Sequence, residues 1–256
     1  MTGYSLKEIM AIQAAKFIQD GDIVFCGTGI SMLAAMAAKH ISAPDSVIFF
    51  ETGAIDSKLE EIPLAVGDPR AMFRTSVNGG LADAFAFMQN PFTGPHIIAI
   101  LGAAQIDRYG NLNSMVIGPY ENPQIRFAGN GGASDVMSFV GRTLIFMQHE
   151  KRKFVEKLDY VSSPGWLSGG NSRTKEGLSR GGPLAVITNL GVMEFHPKTH
   201  EMVLAGYYPG ISLDQISRNT GFDLDVSDAK EIPHPSIEEL RILREVCDPH
   251  GLIIGS

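Results

Sequence analysis

Short apolar runs without alternation are the feature that most narrows what this chain can fold into. Ile23-Val24-Phe25-Cys26, Val47-Ile48-Phe49-Phe50 and Ile97-Ile98-Ala99-Ile100-Leu101 carry no polar residue at every second place. Neither face of such a strand is meant for water, which is the pattern of a parallel sheet covered on both sides. The segments between the runs read as helices. Ser5-Leu6-Lys7-Glu8 is a capping box, and Leu6, Ile9, Met10 and Phe17 follow at helical spacing until Asp20-Gly21. Gly27-Thr28-Gly29 turns the chain into an alanine- and methionine-rich helix over 30–40, and 81–88 reads as another short helix. Further strands are expected at 143–147 and 184–188. Strand, loop, helix, strand at this spacing predicts an α/β fold: a single domain with a mainly parallel, Rossmann-like sheet flanked by helices.

With 256 residues, 44% hydrophobic and 19% charged, the chain can bury a large core and is no disordered polymer. No repeat or linker breaks it, so one domain over 1–256 is expected. A formal charge of −7 argues against a nucleic-acid surface. The longest stretch free of charged side chains, 84–106, is interrupted by Gln89-Asn90-Pro91 and Gly94-Pro95-His96, so no membrane span is expected. The start lacks the basic-then-apolar order of a signal peptide, which predicts a cytoplasmic protein. Cys26 and Cys247, far apart, exclude a disulfide scaffold and a CxxC zinc site, and no metal is expected. Residues 105–138 and 162–183 are rich in Gly, Asn, Ser and Pro and predict long functional loops. Residues 192–204 read as a hairpin, and Ser212 and Ser236 open two late helices.

Glu51 is the first candidate for chemistry. Four apolar residues lead into it, so it stands at the carboxyl end of a buried strand, the edge where open α/β sheets bind ligands. A partly desolvated carboxylate there serves as nucleophile or base, against the plainer reading of an acid in a solvated βα loop. Gly27 and Gly29, with Glu51 at the end of the next strand, also suggest a dinucleotide site, but the third glycine of that fingerprint is replaced by Met32. Gly129-Asn130-Gly131-Gly132 lets backbone amides converge on an anion, or else is a surface turn. Gln105, with Asp107 and Asn111 beyond it, offers a side-chain amide to a bound carbonyl or turns on its own backbone. Lys151-Arg152-Lys153 reads as a solvated face or, alternatively, a phosphate contact. His196 and His200 flank Pro197 in the hairpin and do not form a helical metal pair. Cys26 reads as a buried, inert thiol.

Taken in order, several motifs resemble one family nearly end to end. They are Glu51-Thr52-Gly53, Gly102-Ala103-Ala104-Gln105-Ile106-Asp107, Tyr109-Gly110-Asn111-Leu112-Asn113-Ser114, and Arg126-Phe127-Ala128 leading into Gly129 to Gly132. Met147 to Arg152, Tyr160-Val161-Ser162-Ser163-Pro164-Gly165-Trp166 and Thr220 to Val226 continue the series. Together they resemble the β subunits of family I CoA-transferases, those of the glutaconate type above all. The resemblance implies that Glu51 is the catalytic glutamate, with Thr52 where a serine is common. It also implies that Gly129, Asn130, Gly131 and Gly132 form the oxyanion and CoA-binding loop, and that Gln105 is its amide-bearing companion. The implied reaction moves CoA between an acyl-CoA and a free carboxylic acid through a glutamyl-CoA thioester. It needs no permanently bound cofactor, coenzyme A being a substrate, and it needs an α subunit of the same fold as partner. An acyl-CoA hydrolase or decarboxylase on the same scaffold, and a nicotinamide-dependent oxidoreductase, are the alternative activities.

Overall fold

The capping box at Ser5 opens helix α1 (Leu6–Ala15) as the sequence predicts: the Ser5 hydroxyl accepts from the Glu8 amide and the Glu8 carboxylate from the Ser5 amide. The computed structural model describes residues 3–255, in two compact units, 3–101 with 234–255 and 102–233. In the first, α1 packs its Ile9, Met10 and Ile12 face against helix α2 (Ile30–Ile41). Every residue of α2 from Met32 to Ala38 is buried, as an all-apolar helix must be inside a protein. Strand β1 (Ile23–Cys26) lies between β2 (Val47–Phe49) and a later strand, Ile97–Gly102. All three run parallel, with Phe25 opposite both Phe49 and Ala99, which accounts for their unbroken apolar runs.

The helical pattern fails after β2. In place of a crossover helix, the chain doubles back through β3 (Ala54–Ile55) and β4 (Val77–Asn78), both antiparallel, before helix α3 (Leu81–Gln89) leads to β5 (Ile97–Gly102). The first and last parts of this unit are joined by charge: Arg244 of the closing π-helical turn Ile242–Cys247 pairs with the buried Glu8.

The second unit begins with two small hairpins, β6 (Gln105–Ile106) with β7 (Leu112–Asn113) and β8 (Val116–Ile117) with β9 (Ile125–Arg126). Helix α4 (Ala133–Phe139) follows, then β10 (Arg142–Met147), the short α5 (Ser172–Lys175), β11 (Pro183–Thr188), β12 (Gly191–Phe195), β13 (Met202–Tyr207), α6 (Leu213–Arg218) and β14 (Lys230–Glu231). Their order is β14-β13-β12-β11-β10. β10 and β11 are parallel, and the hairpin expected at 192–204 is the antiparallel pair β12–β13. The fold is therefore α/β, parallel through β5-β1-β2 and β10-β11 and antiparallel where hairpins replace crossovers. No helix among the described residues is long and apolar enough to cross a membrane.

Candidate active site

Glu51 leaves the sheet at the carboxyl end of β2. The Gly53 amide donates to the Phe50 carbonyl at 3.0 Å and the Phe50 amide to the Ala54 carbonyl at 2.9 Å, so Glu51-Thr52-Gly53 is a three-residue hairpin loop. Such loops end in a residue of positive φ, and Gly53 sits at +97°. Space imposes glycine a second time. A Cβ at position 53 would lie 2.3 Å from the Gly79 carbonyl oxygen, and the Gly79 amide donates back to the Gly53 carbonyl at 2.9 Å. Phe50 is fully buried while Glu51 is partly exposed, so the turn lifts one carboxylate from an apolar strand end. The neighbouring Thr52 hydroxyl is buried and has no partner among the described residues. Because Phe25 pairs with Phe49, the Gly27-Thr28-Gly29 turn leaves the same sheet edge as Glu51. Gly29 has φ +78° and starts α2 without a side-chain cap. Cys26, just before it, is buried, which pushes its thiol up to about 12 and keeps it inert.

The remaining candidates belong to the second unit. Gln105, on β6, is 5% exposed and its amide is largely engaged. Its Nε2 donates to Asp159 at 2.7 Å, and its Oε1 accepts from Asn113 Nδ2 at 2.7 Å and from the Asp159 amide at 3.2 Å. These partners belong to Asp159 and Asn113 and not to the backbone beside Gln105, so its amide joins separate segments of the unit. Asp107, by contrast, turns on its own chain, accepting from the Tyr109 and Asn111 amides; burial raises its carboxyl above the usual range while those hydrogen bonds oppose the rise. The glycine loop is the opposite case. Gly129 and Gly131 have φ of +109° and +51°, and the amides of Gly129, Asn130, Gly131 and Gly132 donate to no acceptor among the described residues. The loop is tethered through Asn130, whose Nδ2 donates to the Ser162 carbonyl at 3.1 Å. Ser162 in turn accepts from the Ser114 amide and donates to the Leu112 carbonyl. A chain of hydrogen bonds therefore runs from Gln105 through Asn113 and its neighbours to Asn130, and it brings these two candidates onto one framework.

The other candidates pair within the chain or face solvent. Arg152 and Lys153 pair with Glu150 at 2.6 and 3.4 Å, and Lys151 is exposed. His196 accepts from the Lys198 and Thr199 amides, and His200 stacks on Trp166 with ring centroids 4.0 Å apart. A separate cavity of about 770 Å³ beside β13, with Arg108, His196, Glu201, Asp223 and Asp225 in its wall, contains neither Glu51, Gln105 nor the glycine loop.

The family model for Coenzyme A transferase matches residues 7–219. The chain belongs to the coenzyme A transferase family. It is 42% identical to the β subunit of glutaconate CoA-transferase of Acidaminococcus fermentans, over 97% of this chain and 94% of the relative. It is 34% identical to the β subunit of 3-oxoadipate CoA-transferase of Pseudomonas knackmussii, over 95% of this chain and 94% of the relative. The crystal structure of glutaconate CoA-transferase from Acidaminococcus fermentans superposes with a TM-score of 0.95 at 41% identity, covering 99% of this chain and 98% of that one. Membership in this family displaces the nicotinamide reading of Gly27 and Glu51. Met32, where the dinucleotide fingerprint needs glycine, is fully enclosed in α2.

Sequence reasoning missed one feature in each unit. Asn78-Gly79-Gly80, which closes against Gly53, was signalled only by a glycine pair. Arg173, buried behind the second unit's loops, carried no sequence signal, since nothing in a pattern marks a cation as internal.

Proposed function

We propose that this chain is the β subunit of a CoA-transferase that moves CoA from an acyl-CoA to a free dicarboxylic acid, with Glu51 as the covalent carrier. The Glu51 carboxylate attacks the thioester carbonyl, forming an acyl-glutamyl anhydride and expelling CoA as thiolate. The thiolate attacks the glutamyl carbon, releasing the donor acid and leaving a glutamyl-CoA thioester. An acceptor carboxylate then reverses both steps, so the energy of the thioester is conserved and no nucleotide is consumed. Each attack builds negative charge on oxygen, and the uncommitted amides of Gly131 and Gly132 are the donors assigned to it. Gln105 and Asn113 hold the framework under that loop. Coenzyme A enters as substrate, and no resident cofactor is invoked.

The observation that carries this reading is Glu51 itself: a lone carboxylate lifted from an apolar strand end by a turn that only glycine can close, in a chain of this family. Three further points support the details. Glutaconate and 3-oxoadipate, the acids in the relatives' names, are both dicarboxylates. Both relatives are named as single subunits of their enzymes, which supports an α subunit as partner. Two unpaired cysteines fit a cytoplasmic location. The test is to assay transfer by this chain alone and with an α subunit co-expressed. Parallel double-reciprocal lines from the pair, and no transfer by the single chain, are expected; robust transfer by the single chain overturns the two-subunit assignment.

A further inference from the structure

Arg173 is a buried cation without an acid beside it. It is 2% exposed, it lies on α5, and no ion pair recorded among the described residues includes it. All its hydrogen bonds go to backbone carbonyls: Nε to Arg180 at 3.2 Å, Nη1 to Pro164 at 3.0 Å and Gly165 at 2.8 Å, Nη2 to Arg180 at 2.9 Å and to Met137. Burial lowers its pKa only to about 10, so it is charged at neutral pH. An unpaired buried charge is costly, whereas an apolar side chain of the same volume is often neutral or better. What the guanidinium does here is bind three backbone segments at once.

Those segments are the supports of the proposed oxyanion loop. Met137 is in the last turn of α4, whose first residue directly follows Gly132. Pro164 and Gly165 are fastened to the loop that follows Gln105. The Gly165 amide donates to Asn111 Oδ1 at 2.8 Å, the Trp166 amide to the Tyr109 carbonyl at 2.8 Å, and a Cβ at 165 would meet the Gly110 backbone at 2.3 Å. Arg180 lies on the chain entering β11. We infer that Arg173 is a positioning residue, which fixes α4, and with it the Gly131 and Gly132 amides, against the Gln105–Asn113 framework. The inference rests on the oxyanion role proposed above. The planar fork is essential to it: a lysine keeps the charge but offers its donors from one point and cannot span acceptors on three segments.

The test uses the two-subunit enzyme with Arg173→Lys and Arg173→Met. The readouts are kcat, KM for acyl-CoA, the rate of CoA adduct formation on Glu51, and amide hydrogen exchange. Displacing a loop by about 1 Å costs up to about a hundredfold in rate, so Arg173→Met should lose about a hundredfold in kcat and adduct rate and Arg173→Lys about tenfold. KM should stay within about threefold, because the donors act in the transition state and not on the bound substrate. Exchange should quicken at the hydrogen-bonded amides of α4, Ala133 and Val136 among them, while β10 stays protected. Either folded variant with wild-type kcat overturns the inference, and so does a loss of protection spread evenly over residues 102–233 with kcat retained. Failure of both variants to fold would mark Arg173 as a structural staple and overturn it equally. If wild-type enzyme forms no adduct, the proposed function fails on its own account, and the exchange pattern still decides what Arg173 holds.

Discussion

Two glycine-dependent turns, 51–53 and 129–132, solve opposite problems. At the first, the backbone is committed at Gly53, which bonds to Phe50 and Gly79, and the space of its missing side chain is filled by the Gly79 carbonyl. What it presents for chemistry is a side chain, the Glu51 carboxylate. At the second, the side chain is committed, Asn130 being tied to Ser162, while four successive amides have no acceptor among the described residues. A Cβ at Gly131 would meet nothing within 4 Å. A nucleophile needs a rigid backbone behind a free side chain, whereas an oxyanion site needs a backbone kept free of its own partners. The two turns can therefore be told apart by substitution.

The largest effect is expected at Glu51. Glu51→Gln keeps the size but loses the anionic nucleophile, and transfer should fall by at least about a thousandfold with assembly intact, as measured by kcat and by co-purification with the partner subunit. Gly53→Ala should be next. It places a methyl group inside the Gly79 carbonyl at an unfavourable φ, costing about 3 kcal/mol or more and lowering the melting temperature sharply.

A comparable loss, driven by pH, should come from the second unit. His149 is 3% exposed, stacked on Phe154, with Nε2 2.9 Å from Thr220 Oγ1. Burial lowers its pKa from 6.5 to about 4. A depressed folded-state pKa leaves stability intact above pH 6.5 and removes it as the unfolded chain takes up the proton first. About 3 kcal/mol should therefore be lost between pH 6.5 and about 4. His149→Gln should flatten that part of the denaturation profile.

Gly131→Ala separates the two turns most cleanly. With open space around it, only the left-handed φ costs, about 1–2 kcal/mol, so a mild loss of stability should accompany a tenfold or greater loss of kcat. A Gly131→Ala enzyme as damaged in stability as Gly53→Ala would erase the contrast. The smallest effect is expected for neutralising Lys151, Arg152 and Lys153 together. Exposed pairs such as Arg152–Glu150 contribute little, and KM for acyl-CoA should move only a few-fold.

Legibility in the sequence followed how far each element carries a period or a cap. β1 is found at 23–26 and α2 begins at Ile30 as expected, because an unbroken apolar run and a glycine turn mark their ends. β6 to β9 were invisible: strands of two residues have no period, and the Asx turns that build them leave only a Gly- and Asn-rich composition. The hairpin after β2 was misread as a βα loop because Ala54-Ile55 is too short to signal a strand. Glu51 stood out as the only polar break between an apolar run and Thr-Gly, but the Gly79 carbonyl that locks its turn is 26 residues beyond Gly53 and no local pattern connects them. Gln105 was legible as a polar residue after a buried strand, though its partners Asn113 and Asp159 only emerge in three dimensions.

The central claim, that Glu51 carries CoA, is tested most directly by mass. The two-subunit enzyme is incubated with acyl-CoA, treated with borohydride or hydroxylamine, and the peptide containing Glu51 is analysed. Wild-type protein should carry a modification at Glu51 that depends on acyl-CoA and is missing from Glu51→Gln. An unmodified Glu51 in enzyme that is actively transferring CoA would contradict the account.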